Sequence, residues 1–377
     1  MASGATREMY QHSLVSAQET MDQALEAKTN HEREKLGVEL ATFLGGLGPG
    51  YATDLLHVGA EDLLVFMEAH WQQHHAGSSL PGLDYLVASP SGLRSAISHL
   101  STLFKRLGRG DSYDEATGVG NPCKSSLIQL YKQGYGKKLW RLGYQESSAV
   151  PLTVEKLHRL VQHLDQQFNS DGKPMIKVII VRDLVLTLYN WISTMRSKDG
   201  GQICLLDFHD VNERQLFPNG YDINVPLPSE LWIRPTHGTK TNKQSRNHQD
   251  PVHLKLNDEP QFCVLRRLWS FLQLCHRLGQ PVQHYVFRPL TANRRCFKEA
   301  PLSSSSFIKM LQAHLVAMAA FNGETGHSLR RGGLQHTNAT QGRLAAAVQS
   351  HIKTPRVLDG YLNEHRHYQR PGYQAGP

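Results

Sequence analysis

The sequence predicts a mainly α protein in two parts, a helical first domain and a larger α+β second domain with a small antiparallel sheet. Three observations predict it. Apolar residues recur at helical spacing over most of residues 8–141, strand-like runs flanking a polar loop appear only between residues 203 and 256, and helical patterns resume at 260–278 and continue to the end. A length of 377 residues suits two or three domains of roughly 100–200 residues each. The expected boundaries are an N-terminal helical extension at 1–30, a helical domain at 31–145 and a second domain at 150–377, with the linker at about 143–152.

Taken in order, residues 8–47 are periodic up to the glycine-rich GGLGPGY, and EDLLVFMEAHW (61–71) has helical apolar spacing at Leu63, Leu64, Phe66 and Met67. SPSGLRSAISHLSTLFKRLGRG offers Ser89 or Ser91 as N-cap, a stripe of Leu93, Ile97, Leu100 and Phe104, and Gly108 and Gly110 as the stop. Another helix is expected after Asn121-Pro122. Pro151 interrupts the pattern, and Thr153 can cap VEKLHRLVQHLDQQF. VIIVRDLVLTLYNWISTMR reads as a core helix of the second domain. ICLLDF, LWIRPTHGTK and DPVHLKL read as strands, the last two around TNKQSRNHQ, and Ser303–Ser306 as a helix-capping loop.

Composition excludes several classes. No run of 18 apolar residues exists, so no transmembrane helix is expected. MASGATREMYQHS lacks the basic-then-apolar layout of a secretory signal, so the protein is not expected to be secreted. Five scattered cysteines without CxxC argue against a disulfide framework or structural zinc. His70 and His74 have metal-ligand spacing, but no third ligand is evident, and an exposed helix face is the plainer reading. The net charge of +8 hides an asymmetry: residues 1–87 carry 4 Lys/Arg against 12 Asp/Glu, while residues 88–141 carry 9 against 3. Such a basic block points to a polyanionic partner. Within it, Arg94, Lys105, Arg106, Lys124, Lys137, Lys138 and Arg141 are the candidate phosphate contacts.

The sharpest motif is Thr325-Gly326-His327-Ser328-Leu329-Arg330-Arg331-Gly332-Gly333, followed by Gly360-Tyr361-Leu362. HxxR sets an imidazole and a guanidinium one helical turn apart, suited to gripping two oxygens of one phosphate. A tyrosine 31 residues beyond Arg330 can return to that phosphate as a nucleophile.

Here the chain resembles the tyrosine recombinase (phage-type integrase) family, whose catalytic domain carries in order an Arg, an acidic residue, a hairpin Lys, HxxR, a His or Trp, and the Tyr. In LYNWISTMRSKDGG, Arg196 matches the first arginine and Asp199 the acidic residue. In His237-Gly238-Thr239-Lys240-Thr241, Lys240 matches the hairpin lysine, with Lys243 a second candidate that also joins the DNA-contacting set. His327, Arg330 and Tyr361 complete the order. One position departs: the His or Trp nine residues before the tyrosine is Ile352 here, with His351 beside it. Either a one-residue shift brings His351 into the site, the favoured reading, or the group is missing. The resemblance covers residues 31–365, and the GNPC segment is similar to recombinases of eukaryotic mobile elements such as cryptons.

The resemblance implies a helical core-binding domain that clamps DNA, an α+β catalytic domain, and cleavage and rejoining through a 3′-phosphotyrosyl bond. It implies no cofactor and no metal, double-stranded DNA as partner, and self-association to a tetramer on DNA, with accessory proteins left open. A nuclear location is expected if the source is eukaryotic and a cytoplasmic one otherwise. Two alternatives stand beside it: a catalytically silent, domesticated DNA-binding protein of the same fold, and a type IB topoisomerase-like nicking-closing enzyme.

Overall fold

The computed structural model describes residues 27–48, 54–77, 80, 85–144, 149–170, 172–236, 251–352 and 354–362. The chain divides into two compact units, Met1–Glu146 and Ser147–Pro377.

The first unit contains α1 (Ala27–Gly46), α2 (Ala60–Phe66), α3 (Pro90–Arg106) and α4 (Ser126–Arg141). Helix α2 runs on through a π-helical turn, Met67–Trp71, into Gln72–His74. Ser89, in extended backbone, caps α3 by accepting from the Gly92 N–H at 3.0 Å. Leu93, Ile97, Leu100 and Phe104 are buried and pack with Leu40, Leu44, Leu63, Phe66, Ile128 and Leu139 into one core. Gly108, at φ +82°, stops the helix, because its left-handed backbone lets the Arg109 N–H reach back to the Phe104 carbonyl. Helix α4 begins just beyond Asn121-Pro122, as expected. Asn121 caps a single 3₁₀ turn, Pro122–Lys124, and Ser125 then caps α4 by accepting from the Ile128 N–H at 3.2 Å. His70 stacks on Phe66 and His74 and meets Glu39 at 3.2 Å, a packed helix face rather than a ligand set.

The second unit contains α5 (Val154–Ser170), α6 (Pro174–Ile192), α7 (Ser197–Gly201), β1 (Phe208–His209), β2 (Glu230–Ile233), β3 (Val252–Lys255), α8 (Val264–Arg277), α9 (Ser304–Ala317), α10 (Ser328–Gln341), α11 (Arg343–Ser350) and α12 (Pro355–Leu362). Helix α6 is apolar on all sides and buried along most of its length, so it can serve as the hub. Helices α5, α7, α8, α9 and α10 all pack on it. The sheet is antiparallel in the order β1-β2-β3, with Phe208 opposite Ile233 and Leu231 opposite Leu254. Leu231, Ile233, Val252 and Leu254 are buried against the same core.

Three expectations need correction. Most of ICLLDF is not strand: Leu205–Asp207 forms a 3₁₀ turn held by the Asp207 carboxylate on the Cys204 N–H, leaving a two-residue β1. Helix does not continue from 278 to the end, because residues 280–302 form turns with isolated bridges such as Leu290–Phe297. Helix α6 ends at Ile192, short of Arg196: the Ser193 hydroxyl donates back to the Tyr189 carbonyl at 2.6 Å, and Thr194 turns left-handed at φ +51°.

Candidate active site

The break after α6 creates one half of the site. Thr194 redirects the chain, and Arg196 becomes the N-cap residue of α7 with its side chain partly exposed. Its guanidinium lies 3.9 Å from Asp199, which is nearly buried three residues on. Gly200 and Gly201 let α7 sit directly on its neighbours, since a Cβ on either would collide with Asn190 or with the Leu302 carbonyl.

Helix α10 supplies the other half. A Cβ on Gly332 would strike the Leu152 carbonyl oxygen, and one on Gly333 the Trp191 carbonyl oxygen. Helix α10 is therefore seated at backbone distance against the end of α6. That seat buries Arg330, which is 5% exposed. Its Nη1 donates to the Thr194 carbonyl and its Nη2 to the Ser350 carbonyl at 3.0 Å, while Nε is buried with no partner. Tyr361 of α12 lies over this guanidinium, 5.3 Å from ring centroid to Cζ. Burial holds the Arg330 pKa below its ordinary value; Tyr361 and Asp199 oppose that shift, and the like charge of Arg196 adds to it. The charge itself survives, because an arginine stays protonated in proteins. Arg196, Asp199, Arg330 and Tyr361 thus gather in one place from three segments of the chain.

The remaining sequence candidates sit as follows. His327 is the exposed N-cap residue of α10 in helical backbone, its carbonyl accepting from the Arg331 N–H at 2.9 Å, and Arg330 follows three residues on with its guanidinium buried in the first turn. His351 ends α11 in left-handed conformation at φ +53° and is half-buried. Ile352 and Tyr361 both pack against the small cluster of Leu334, Ala346 and Leu358. Lys240 and Lys243 lie outside the described residues.

Several positioning residues escaped the sequence reading. Gln349 donates to the Ile192 carbonyl and accepts from the Thr337 hydroxyl at 2.6 Å, which fixes the Ser350 carbonyl beneath Arg330. Glu324, fully buried, pairs with Lys156 and accepts from the Asn322 N–H at 2.7 Å, bracing the loop that leads to His327. Arg331 is also buried, and that burial holds its pKa below the ordinary value, with Tyr361 opposing the shift. The Arg-Arg doublet was the signal for it, whereas the hydrogen bonds of Gln349 and Glu324 left no motif.

In the first unit, Arg94, Lys105 and Lys124 line a 470 Å³ groove between α3 and α4, together with Lys132 and Asp111. Arg94 and Lys132 continue into an adjoining cavity of 350 Å³ with Lys137 and Trp140. Lys105 pairs with Asp111, and Arg106 departs from the set by reaching Asn30 of α1 at 3.1 Å. Lys138 and Arg141 are exposed on α4 and line neither cavity. Among the described residues, no three His, Cys, Asp or Glu side chains gather to hold a metal, and no helix is long and apolar enough to cross a membrane.

No family model matches the chain, and no curated protein matches it. Solved structures do. XerH site-specific recombinase bound to its difH substrate, a pre-cleavage complex, is 12% identical with a TM-score of 0.51, over 87% of this chain and 74% of that one. A lambda integrase tetramer bound to a Holliday junction is 11% identical with a TM-score of 0.51, over 99% of this chain and 84% of that one. The helices of the second unit, seated around α6 with a three-stranded antiparallel sheet, belong to a chain that has the fold of the tyrosine recombinases.

Proposed function

We propose that the protein is a site-specific DNA recombinase that cleaves and rejoins DNA through a 3′-phosphotyrosyl intermediate on Tyr361. The observation that carries this reading is Tyr361 lying over a buried Arg330 whose Nε–H has no acceptor, with Arg196 and Asp199 beside them. Two of the five Arg330 N–H groups are held by carbonyls, which fixes the guanidinium plane, and Tyr361 hydrogen-bonds the same side chain. A phosphate is the ligand that a planar, doubly anchored fork suits.

In the proposed reaction the Tyr361 hydroxyl oxygen attacks phosphorus and the bond from phosphorus to the 5′-oxygen breaks. Arg330 and Arg196 bind the non-bridging oxygens and offset charge in the pentavalent transition state. His327 takes the phenolic proton, and Lys240 gives one to the leaving 5′-oxygen. Asp199 orients Arg196. The 5′-hydroxyl of a second strand then attacks the phosphotyrosyl bond, and Tyr361 recovers its proton. His351 takes the family's His or Trp position and adds a donor to the two guanidiniums. The 31–145 domain clamps duplex DNA through Arg94, Lys105, Lys124, Lys137, Lys138 and Arg141, and the 150–377 domain performs the chemistry. Exchange between two duplexes needs four such sites, hence a tetramer on DNA. A nuclear location fits the mobile-element likeness.

The test is a fluorescent duplex pool, randomised in sequence and singly nicked, incubated with the protein and resolved in SDS. Wild type is expected to give a covalent protein–DNA band that Tyr361→Phe loses. A band persisting in Tyr361→Phe overturns the assignment. DNA binding with no band from wild type favours the silent DNA-binding alternative. Relaxation of a supercoiled plasmid without exchange between duplexes favours the topoisomerase one.

A further inference from the structure

Trp140 is 76% exposed near the end of α4 and forms one side of the 350 Å³ cavity with Arg94, Lys132, Gln133, Gly136 and Lys137. On one helix, Lys132, Gly136 and Trp140 are spaced i, i+4, i+8 and so share a stripe. Gly136 leaves bare backbone at the middle of that stripe, and a Cβ there would meet nothing within 4 Å. No packing constraint calls for glycine, and glycine inside a helix is less stable than alanine. The result is a mostly apolar slot with an indole on one side, bare backbone as floor and cations at the rim. Lys132 is held at that rim by the Gln129 side chain at 2.5 Å.

We propose that this slot takes an unpaired nucleobase of a bound DNA strand, stacked on Trp140 with its phosphates on Arg94, Lys132 and Lys137. The inference deepens the DNA-binding reading and rests on it. An indole offers a sequence-tolerant π-face, the surrounding charge complements the flanking phosphates, and the absent side chain at Gly136 makes room for a flat ring. Paired bases inside a duplex present no free face. The slot therefore distinguishes DNA with an extruded nucleotide from the same DNA fully paired.

The experiment measures binding of the full chain to two duplexes of equal length and phosphate number, one fully paired and one carrying a single unpaired nucleotide. Wild type is expected to prefer the second by roughly tenfold, the scale of one stacked base. Trp140→Ala and Gly136→Leu, each checked for folding by thermal melting, are expected to bring that preference down to about one. Gly136→Ala fills the floor without new bulk beyond a methyl and should raise the melting temperature while weakening the preference. Equal binding of both duplexes by wild type overturns the proposal, as does a preference that survives Trp140→Ala. Covalent capture by Tyr361, measured on the same preparations, separates this failure from failure of the recombinase reading.

Discussion

In the groove of the first unit, Arg94, Lys105, Lys124 and Lys137 stand exposed to water, whereas Arg330 of the second unit is buried and held by two backbone carbonyls. The exposed set is adaptable: long side chains, a high local dielectric, and even a close partner such as Asp111 on Lys105 contributing little. The buried arginine is the opposite. Its orientation is set before any ligand arrives, and removing water strengthens whatever it contacts. The first arrangement suits holding a polyanion in many registers, and the second suits stabilising charge at one atom. The same residue class serves two purposes because the fold decides how much water each guanidinium or ammonium keeps.

Five substitutions probe this contrast. Arg330→Ala is expected to give the largest effect, lowering the rate of covalent capture by about 10²–10³-fold. It also leaves the Thr194 and Ser350 carbonyls without their donor, at about 1–3 kcal/mol each where they stay buried. Single-turnover capture and urea unfolding measure the two losses, and an unchanged capture rate would break the contrast outright. Next is Lys156→Met, which strands the fully buried Glu324 carboxylate and should lower stability by about 3 kcal/mol in denaturant unfolding. Glu324→Gln should cost less, because its amide oxygen still accepts from the Asn322 N–H. The smallest effect belongs to the groove. Each of Lys124→Gln and Lys137→Gln should lower the slope of log K against log salt by about 1 and leave the melting temperature alone. A slope that does not move would show that the cation faces only solvent.

The periodic stripe of α3, its Ser89 cap and its Gly108 stop were legible because each is a local rule written in neighbouring residues. Arg196, Asp199, Arg330 and Tyr361 were legible only as an ordered set, and the fold brings that set together. What holds Arg330 was not legible. Its acceptors are main-chain oxygens of Thr194 and Ser350, and every residue type carries a main-chain oxygen. The early end of α6 was hidden for a related reason. An apolar run through Trp191, Ile192 and Met195 reads as helix, yet Ser193 and Thr194 turn the chain there.

The seat of α10 against Leu152 and Trp191 also sets how much the molecule tolerates change. Neither Gly332 nor Gly333 donates a side chain to any chemistry, yet a methyl on either meets a carbonyl oxygen, not a flexible side chain that can step aside. The only relief is for the whole helix to retreat, and it would carry Arg330 out from under Tyr361 as it went. In a saturation scan scored on strand cleavage, these two silent positions would rank with the nucleophile itself.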